Sequence, residues 1–305
     1  MVLVIGSINM DVSFQVQDIP HPGETVMASG VKKSPGGKGA NQAYAASKLG
    51  GKVIMLGCVG QDENGDALLA SLDSAGVDIS HIKKQTDVAT SSAFICVSSS
   101  GENSIVVDSS ANALVSPDYL AENEPLFEDA EYCILQMEIP YETVSTAIAL
   151  CQKHQVKVVL NPSPLTAFDK QLLYGVDYLV PNETEASALI GTSYEQASEQ
   201  DWIAFMQEYR IKNLIITLGK QGCRYYDGSK PSQAYPSERR DAIDTTGAGD
   251  TFLGALVAAL SQGEAIHNAI RYANAASGIE VTRHGAQQAV PTKEEVEYDL
   301  KEHSN

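Results

Sequence analysis

The sequence predicts an α/β fold: a doubly wound, mainly parallel sheet with helices on both faces, plus a small antiparallel β lid. Three observations carry this. Short unbroken apolar runs such as Val2-Leu-Val-Ile5 recur, as strands buried on both faces require. They alternate with segments of helical period, the βα alternation of a parallel sheet. Polar or Gly-rich residues cluster just past each strand, the edge where open α/β sheets bind ligands.

The chain has 305 residues, enough for one large domain or two smaller ones. No linker, repeat or low-complexity run divides it, so 1–305 is expected to form a single domain. The net charge of -18 argues against nucleic acid, whose phosphates need clustered Lys and Arg. Any anionic ligand must then be held by backbone donors and a few cations. Cys58, Cys96, Cys133, Cys151 and Cys223 are scattered, without a CxxC pair or Cys/His cluster, and read as reduced core residues. The first strand has no basic stretch before it, Asp11 follows soon, and no apolar run is long enough to cross a membrane. A cytoplasmic protein is expected.

In chain order, the first strand ends at Gly6, and Asn9 and Asp11 follow. They stand either where a polar ligand is held or in an Asx turn. From 12 to 34 apolar and polar residues alternate around Pro20-His-Pro-Gly-Glu24, which reads as strands at 12–17 and 25–31 facing water on one side. A second such piece spans 91–110, joined across Ser-Ser-Ser-Gly-Glu-Asn103. Together they form the expected lid, a dimer surface, or both. Pro35-Gly-Gly-Lys-Gly-Ala-Asn-Gln42 opens a helix over about 40–49. It lacks the GxxxxGK[ST] spacing of a Walker A loop. A strand at 52–59 and a helix at 64–75 follow. The strand at 132–136 ends in Met137-Glu138, a carboxylate at a strand's carboxyl end. A helix is expected at 141–154, and strands at 156–160, 177–180 and 213–218. Asn182 and Glu185 fit either Mg2+ support through waters or a capping box. Thr217-Leu-Gly-Lys-Gln-Gly222 fits a nucleotide contact or a hairpin turn.

The chemistry concentrates at Asp244-Thr-Thr-Gly-Ala-Gly-Asp250. Phe252, Ala255, Leu256, Ala259 and Leu260 recur at helical spacing directly after it. The small residues therefore sit at a helix N-terminus, where unpaired N–H groups and the helix dipole favour an anion. Asp250 is either an ordinary cap or a base beside that anion cradle, and the second arrangement suits phosphoryl transfer.

Gly6-Ser-Ile-Asn-Met-Asp11, Gly36-Gly-Lys-Gly-Ala-Asn41, Pro181-Asn-Glu-Thr-Glu185 and the 244–250 stretch occur in that order. Together they resemble the PfkB-type carbohydrate kinases over nearly the whole chain, and Val281-Thr-Arg-His-Gly-Ala-Gln287 is similar to that family too. The resemblance implies Asp250 as the base that takes a proton from a sugar's terminal hydroxyl. It implies Gly247, Ala248 and Gly249 as the anion hole. The implied sugar site is Asn9, Met10, Asp11, Gly37, Lys38, Gly39, Ala40, Asn41 and Glu138, with Asp250. The implied ATP and Mg2+ positions are Asn182, Glu185, Thr217, Leu218, Gly219, Lys220, Gln221, Gly222, Gly249 and Asn274. A monovalent cation, K+ by resemblance, is implied at Asp244, Thr246, Glu280, Arg283 and Gly285, mostly through backbone carbonyls. The lid of such enzymes also pairs two subunits, which implies a homodimer.

Two positions depart from the family pattern. Ala289 stands where a serine is common near the cation, and Ser110 where a glycine is usual at the lid edge. The implied sugar site holds one cation, Lys38, whereas a sugar phosphate would need a further clamp. An unphosphorylated sugar is expected; the resemblance at Asn9 and Asp11 implies ribose first, with deoxyribose or fructose behind it. A nucleoside would want aromatic faces, which do not adjoin these motifs. A sugar-sensing protein without turnover is the non-enzyme alternative, opposed by the intact Asp250 and its glycines. A Rossmann oxidoreductase is opposed by the lack of GxGxxG after the first strand.

Overall fold

The structure is a computed structural model that describes residues 1–165 and 168–303. Its elements in chain order begin with β1 (Val2–Ile5), β2 (Asn9–Gln15), β3 (Gly30–Gly36), α1 (Lys38–Lys48), β4 (Val53–Leu56), β5 (Cys58–Gly60) and α2 (Glu63–Ser74). Next come β6 (Lys83–Gln85), β7 (Ser92–Val97), β8 (Asn103–Asp108), α3 (Pro117–Glu122), α4 (Pro125–Asp129), β9 (Tyr132–Leu135), α5 (Tyr141–His154) and β10 (Lys157–Leu160). The C-terminal half holds β11 (Tyr178–Leu179), α6 (Glu183–Ile190), α7 (Glu199–Tyr209), β12 (Asn213–Thr217), β13 (Cys223–Tyr226), β14 (Gln233–Tyr235), α8 (Ala248–Ser261), α9 (Ile266–Glu280) and α10 (Lys293–Glu302).

Eight strands form the main sheet in the order β14-β13-β12-β11-β10-β9-β1-β4. The pairs from β4 to β12 are parallel, and β13 and β14 add antiparallel pairs at one edge. The continuous apolar runs are explained by double-sided burial. Val2 and Val4 join the core on one face with Phe252 and Leu256, while Leu3 and Ile5 join the other with Phe127 and Val144. From β1 the chain steps to β4 on one side, then later to β9 on the other. That reversal opens a crevice at the carboxyl ends of β1 and β9, where residues 9–11 and Glu138 follow their strands.

A second sheet runs β3-β2-β7-β8. Its outer pairings are antiparallel, and its inner strands, β2 and β7, pair in parallel. Two boundaries differ from expectation. Strand β2 starts at Asn9, so Asn9 and Asp11 lie in a strand and not in an Asx turn. Strand β3 covers 30–36, not 25–31. The register of β2 on β3 runs from Asn9↔Gly36 to Gln15↔Gly30, so pairing outweighs the local β-propensity of 25–29. The strand expected at 52–59 is broken into β4 and β5 at Gly57, where a Cβ would meet the Ile8 side chain at 2.9 Å.

Helix α8 is buried all along 250–260, which marks a central helix and not an amphipathic surface one. Its Gly254 lies so close to α1 that a Cβ would come within 2.7 Å of the Ala45 Cβ and 2.8 Å of the Gln42 carbonyl oxygen. This close approach sets the first turns of α1 and α8 side by side, and both turns carry predicted site residues. Among the described residues no helix is long and apolar enough to cross a membrane.

Candidate active site

Asp250 is 7% exposed in the first turn of α8. Its Oδ1 accepts a hydrogen bond from Gln42 Nε2 at 2.8 Å and its Oδ2 one from Asn41 Nδ2 at 3.1 Å. The helix is opened by Gly247 at φ 88. A side chain there is strained, and a Cβ would also meet Ala286 at 2.9 Å. Gly249 has open space around its Cα, so an anion can approach the positive end of the helix there.

Beside Asp250 stands a cluster of carboxylates with one lysine. Glu138 Oε2 accepts from Ser7 Oγ at 2.5 Å and from the Lys38 N–H at 3.2 Å. Burial first, then the Glu138 and Asp250 carboxylates, push the Asp11 carboxyl up to about 7, with Lys38 pulling the other way. Burial pulls the Lys38 ammonium down, but Asp250, Glu138, Glu185 and Asp11 outweigh it and hold it above its ordinary value. Asn9 is buried, and its Oδ1 accepts from Asn112 Nδ2 at 2.6 Å. Asn112 in turn accepts from the Ile8 N–H. Gly37, at φ 87, caps α1 without a side chain, and a Cβ would meet the Asn9 nitrogen at 2.7 Å.

Three predicted sugar-site residues are not brought into this cluster. Met10 is 5% exposed and packs in the main core, because strand alternation turns it away from Asn9 and Asp11. Gly39 and Ala40 give their N–H groups to Ser7, to its Oγ and its carbonyl oxygen. They let α1 sit against β1 and present no side chain to a ligand. A Cβ on Gly39 would meet the Ser7 nitrogen at 2.6 Å.

Asp250 and Lys38 also line a cleft of about 1160 Å³. All the predicted nucleotide positions line it: Asn182 and Glu185, 217–222, the 247–249 turn and Asn274. Asn182 and Glu185 form the capping box of α6, with Asn182 Oδ1 accepting from the Glu185 N–H and Glu185 Oε2 from the Asn182 N–H. The 217–222 stretch is the turn of the β12–β13 hairpin. At Gly222, φ is 88 and a Cβ would fall 2.0 Å from the Tyr235 carbonyl oxygen, so this turn requires glycine. Among the described residues no group of three His, Cys, Asp or Glu is arranged to hold a metal.

The predicted cation positions gather behind the 247–249 turn. Asp244 Oδ1 accepts from the Thr246 N–H and its Oδ2 from the Gly285 N–H, which ties the two loops together. Burial opposes charge on Asp244, but these donors outweigh it and hold its carboxyl below the usual range. Glu280 is fully buried, and both its carboxylate oxygens lack a hydrogen-bond partner among the described residues. Burial, then Asp250 and Asp244, push its carboxyl up to about 9. An orphaned buried carboxylate fits a desolvated cation. The Arg283 guanidinium turns away to Glu295 at 2.6 Å, and its N–H donates to the Glu280 carbonyl at 2.9 Å. Ala289 is buried, its N–H donating to the Ala286 carbonyl.

Several site residues carried no sequence signal of their own. Ser7, Asn112, Gln136 and Asn161 are polar groups at strand ends or loop turns whose partners are distant in sequence. Gln42 adjoins Asn41 in the quoted turn, and a buried polar residue on a helix face was the available clue. Residues 237–242, which line the cleft, belong to no motif. Ser110 at the lid edge donates its hydroxyl to Asp108 Oδ1 at 2.8 Å.

The sequence profile of pfkB family carbohydrate kinases matches residues 1–293. A ribokinase of Bacillus subtilis (strain 168) is 40% identical over 296 residues, spanning 97% of this chain and 98% of that protein. The crystal structure of a ribokinase from Thermotoga maritima superposes with a TM-score of 0.89 at 31% identity, covering 98% of this chain and 99% of the other. An Arabidopsis thaliana ribokinase solved with ribose and ATP superposes with a TM-score of 0.88 at 28% identity over 98% of each chain. A family profile matching residues 1–293 and relatives matched end to end leave one assignment: the chain belongs to the pfkB family of carbohydrate kinases.

Proposed function

We propose that the chain transfers the γ-phosphoryl group of ATP to the O5 hydroxyl of D-ribose, giving ribose 5-phosphate and ADP. The reading rests on one observation above others: Asp250 lines the large cleft at the positive end of α8 and also belongs to the cluster of Asp11, Glu138 and Lys38. In this reading Asn9, Asp11, Asn41 and Glu138 bind the sugar hydroxyls, and Lys38 stands between sugar and phosphate. Asp250 accepts the O5 proton as the oxygen attacks the γ-phosphorus in line, and the bond to the ADP oxygen breaks. The 247–249 turn stabilises the charge on the moving phosphoryl group. Asn182 and Glu185 support Mg2+ through waters, and the 217–222 turn with Asn274 holds the nucleotide. Asp244, Thr246, Glu280 and the backbone at Arg283 and Gly285 hold a monovalent cation, K+, which adds positive charge beside the anion hole when bound.

Among the described residues Lys38 is the cation that acts on Asp11, which favours a neutral sugar over a sugar phosphate. We also assign the protein to the cytoplasm and to a homodimer built through the β3-β2-β7-β8 sheet, whose Val31, Phe94, Ile105, Val106 and Val107 are exposed.

The test is ADP release with MgATP and K+ across ribose, 2-deoxyribose, fructose, a nucleoside and fructose 6-phosphate. Ribose is expected to give the highest kcat/KM. Turnover of another sugar without ribose would keep the kinase and reject the substrate. Asp250→Asn is expected to lower kcat by ~100- to 10,000-fold with both substrates still bound. Full turnover by that variant would remove Asp250 as base.

A further inference from the structure

Asp250 has neutral donors on both oxygens, and one of them ends a buried chain of amides. Gln42 is fully buried. Its Nε2 donates to Asp250 Oδ1 at 2.8 Å and to Asn161 Oδ1 at 3.3 Å, and its Oε1 accepts from Gln136 Nε2 at 2.7 Å. The direction of each bond is determined. An ionised Asp250 only accepts, so the Gln42 NH2 must face it. Asn161 Nδ2 is given to the Val180 carbonyl at 3.0 Å, so Asn161 too presents its oxygen to Gln42. The Gln42 oxygen is thereby turned to Gln136, which must donate.

The far end of the chain is unsatisfied. Gln136 is fully buried, and its Oε1 has no hydrogen-bond partner among the described residues. It lies against Gly6, where a Cβ would fall 1.9 Å from it. Turning the Gln136 amide would bring two oxygens together at Gln42. The orphaned acceptor is therefore the lesser penalty, and it is tolerated so that the chain points at Asp250. An apolar residue at 136 would fill the same space without that penalty.

We infer that Gln42, oriented by Gln136 and Asn161, is a positioning residue for the base: its amide fixes the rotamer of Asp250 and so the lone pair offered to the sugar hydroxyl. This rests on the reading of Asp250 as base. Gln42 touches neither substrate in that reading. Removing it should therefore lower kcat and leave both KM values near those of the parent. A misplacement of about 1 Å lowers the rate by roughly 100-fold.

The experiment compares Gln42→Leu, Gln42→Glu, Gln136→Leu and Asp250→Asn in the full-length protein, with folding checked by thermal melts. Gln42→Leu is expected to lose ~10- to 100-fold in kcat with less than about threefold change in either KM. Gln42→Glu is nearly isosteric and still accepts from Gln136. It can donate to Asp250 only while protonated, so its activity relative to the parent should fall as pH rises. A volume-filling role predicts no such slope. Gln136→Leu should lose several-fold in kcat at equal or higher melting temperature. Parent-like kcat for Gln42→Leu, an equal rise in KM, or a flat Gln42→Glu-to-parent ratio across pH would each overturn the inference. If Gln42→Leu fails to fold, Gln42→Glu and Gln136→Leu carry the test. Full activity in Asp250→Asn would instead overturn the base assignment, so the two failures are separable.

Discussion

Asn112 Nδ2 donates to Asn9 Oδ1 at 2.6 Å, joining residues 103 apart in sequence. The bond engages the Asn9 oxygen, so in the proposed sugar site the Asn9 NH2 is the group left for a sugar hydroxyl. Asn112 is itself pinned, because its Oδ1 accepts from the Ile8 N–H at 3.0 Å and its own N–H donates to Ser91 Oγ at 2.9 Å. Asn112→Asp keeps the shape and removes the donor. Two oxygens would then face each other, and the Asn9 amide would turn over. The expected result is a KM for sugar raised roughly tenfold, about 1.4 kcal/mol, with the KM for ATP unchanged. Equal effects on both substrates would show that Asn112 supports the fold in general.

This bond also shows what the sequence could and could not convey. The strands were legible because parallel strands buried on both faces must be apolar throughout, as Val2-Leu-Val-Ile5 is. The 244–250 turn was legible because small residues before an apolar helix have few structural reasons. Asn112 belongs to no motif and lies two residues beyond Ser110, the departure from the family pattern. Its role depends on the lid sheet bringing the segment at 110–114 against β2, and no local period reports that. The Met10 side chain lies away from Asn9 and Asp11 for a local reason. Strand β2 begins at Asn9, and alternation then sends Met10 to the core. Gln42 was hidden because a buried glutamine on an apolar helix face has meaning only once α1 and α8 are known to touch.

Asp11 should make sugar affinity pH-dependent. Its carboxyl is pushed up to about 7, chiefly by burial, then by Glu138 and Asp250. A sugar hydroxyl donating to Asp11 binds the ionised form. The kcat/KM for sugar should therefore rise with pH to about 7 and level off above it, approaching a tenfold loss per unit below. Asp11→Asn should remove that inflection. The stability effect has the opposite sign. The folded state holds this proton above the ordinary carboxylate value, so stability falls as pH rises through that window and the penalty is complete above about 7. Asp11→Asn should then melt higher than the parent at pH 8 and nearly equally at pH 4. A pH-independent parent KM for sugar between 5.5 and 8 would reject this role for Asp11.

Glu280 should report the cation by stability as well as by activity. Its carboxylate is fully buried with no hydrogen-bond partner among the described residues, beside Gly247. Without a cation it is a burden on the fold. K+ is expected to raise the melting temperature of the parent, as any ligand of the folded state does, and Na+ less so. Glu280→Gln keeps the shape and cannot ionise to meet a cation. It should melt at or above the parent in buffer free of K+ and show little gain when K+ is added. If the variant gained as much from K+ as the parent, the cation would be bound elsewhere.

The lid sheet should hold two copies together, and Ile105 is the place to test it. The register aligns Asp11 with Ala93 and Val107, and Ser13 with Ile95 and Ile105. By strand alternation, Ile105 and Val107 therefore share the face that carries Asn9 and Asp11. They are 53% and 49% exposed in the single chain, an unusual apolar exposure next to the proposed sugar site. A partner copy covering this face would bury them and hold the lid over the sugar. Ile105→Glu puts a charge in that contact. Sedimentation should show a dimer for the parent and a shift towards monomer for the variant, with a raised KM for sugar and an unchanged KM for ATP. A monomeric parent at micromolar concentration would reject the dimer. A variant that stays dimeric with a parent-like KM would move the contact to the other face, where Val31, Phe94 and Val106 are exposed.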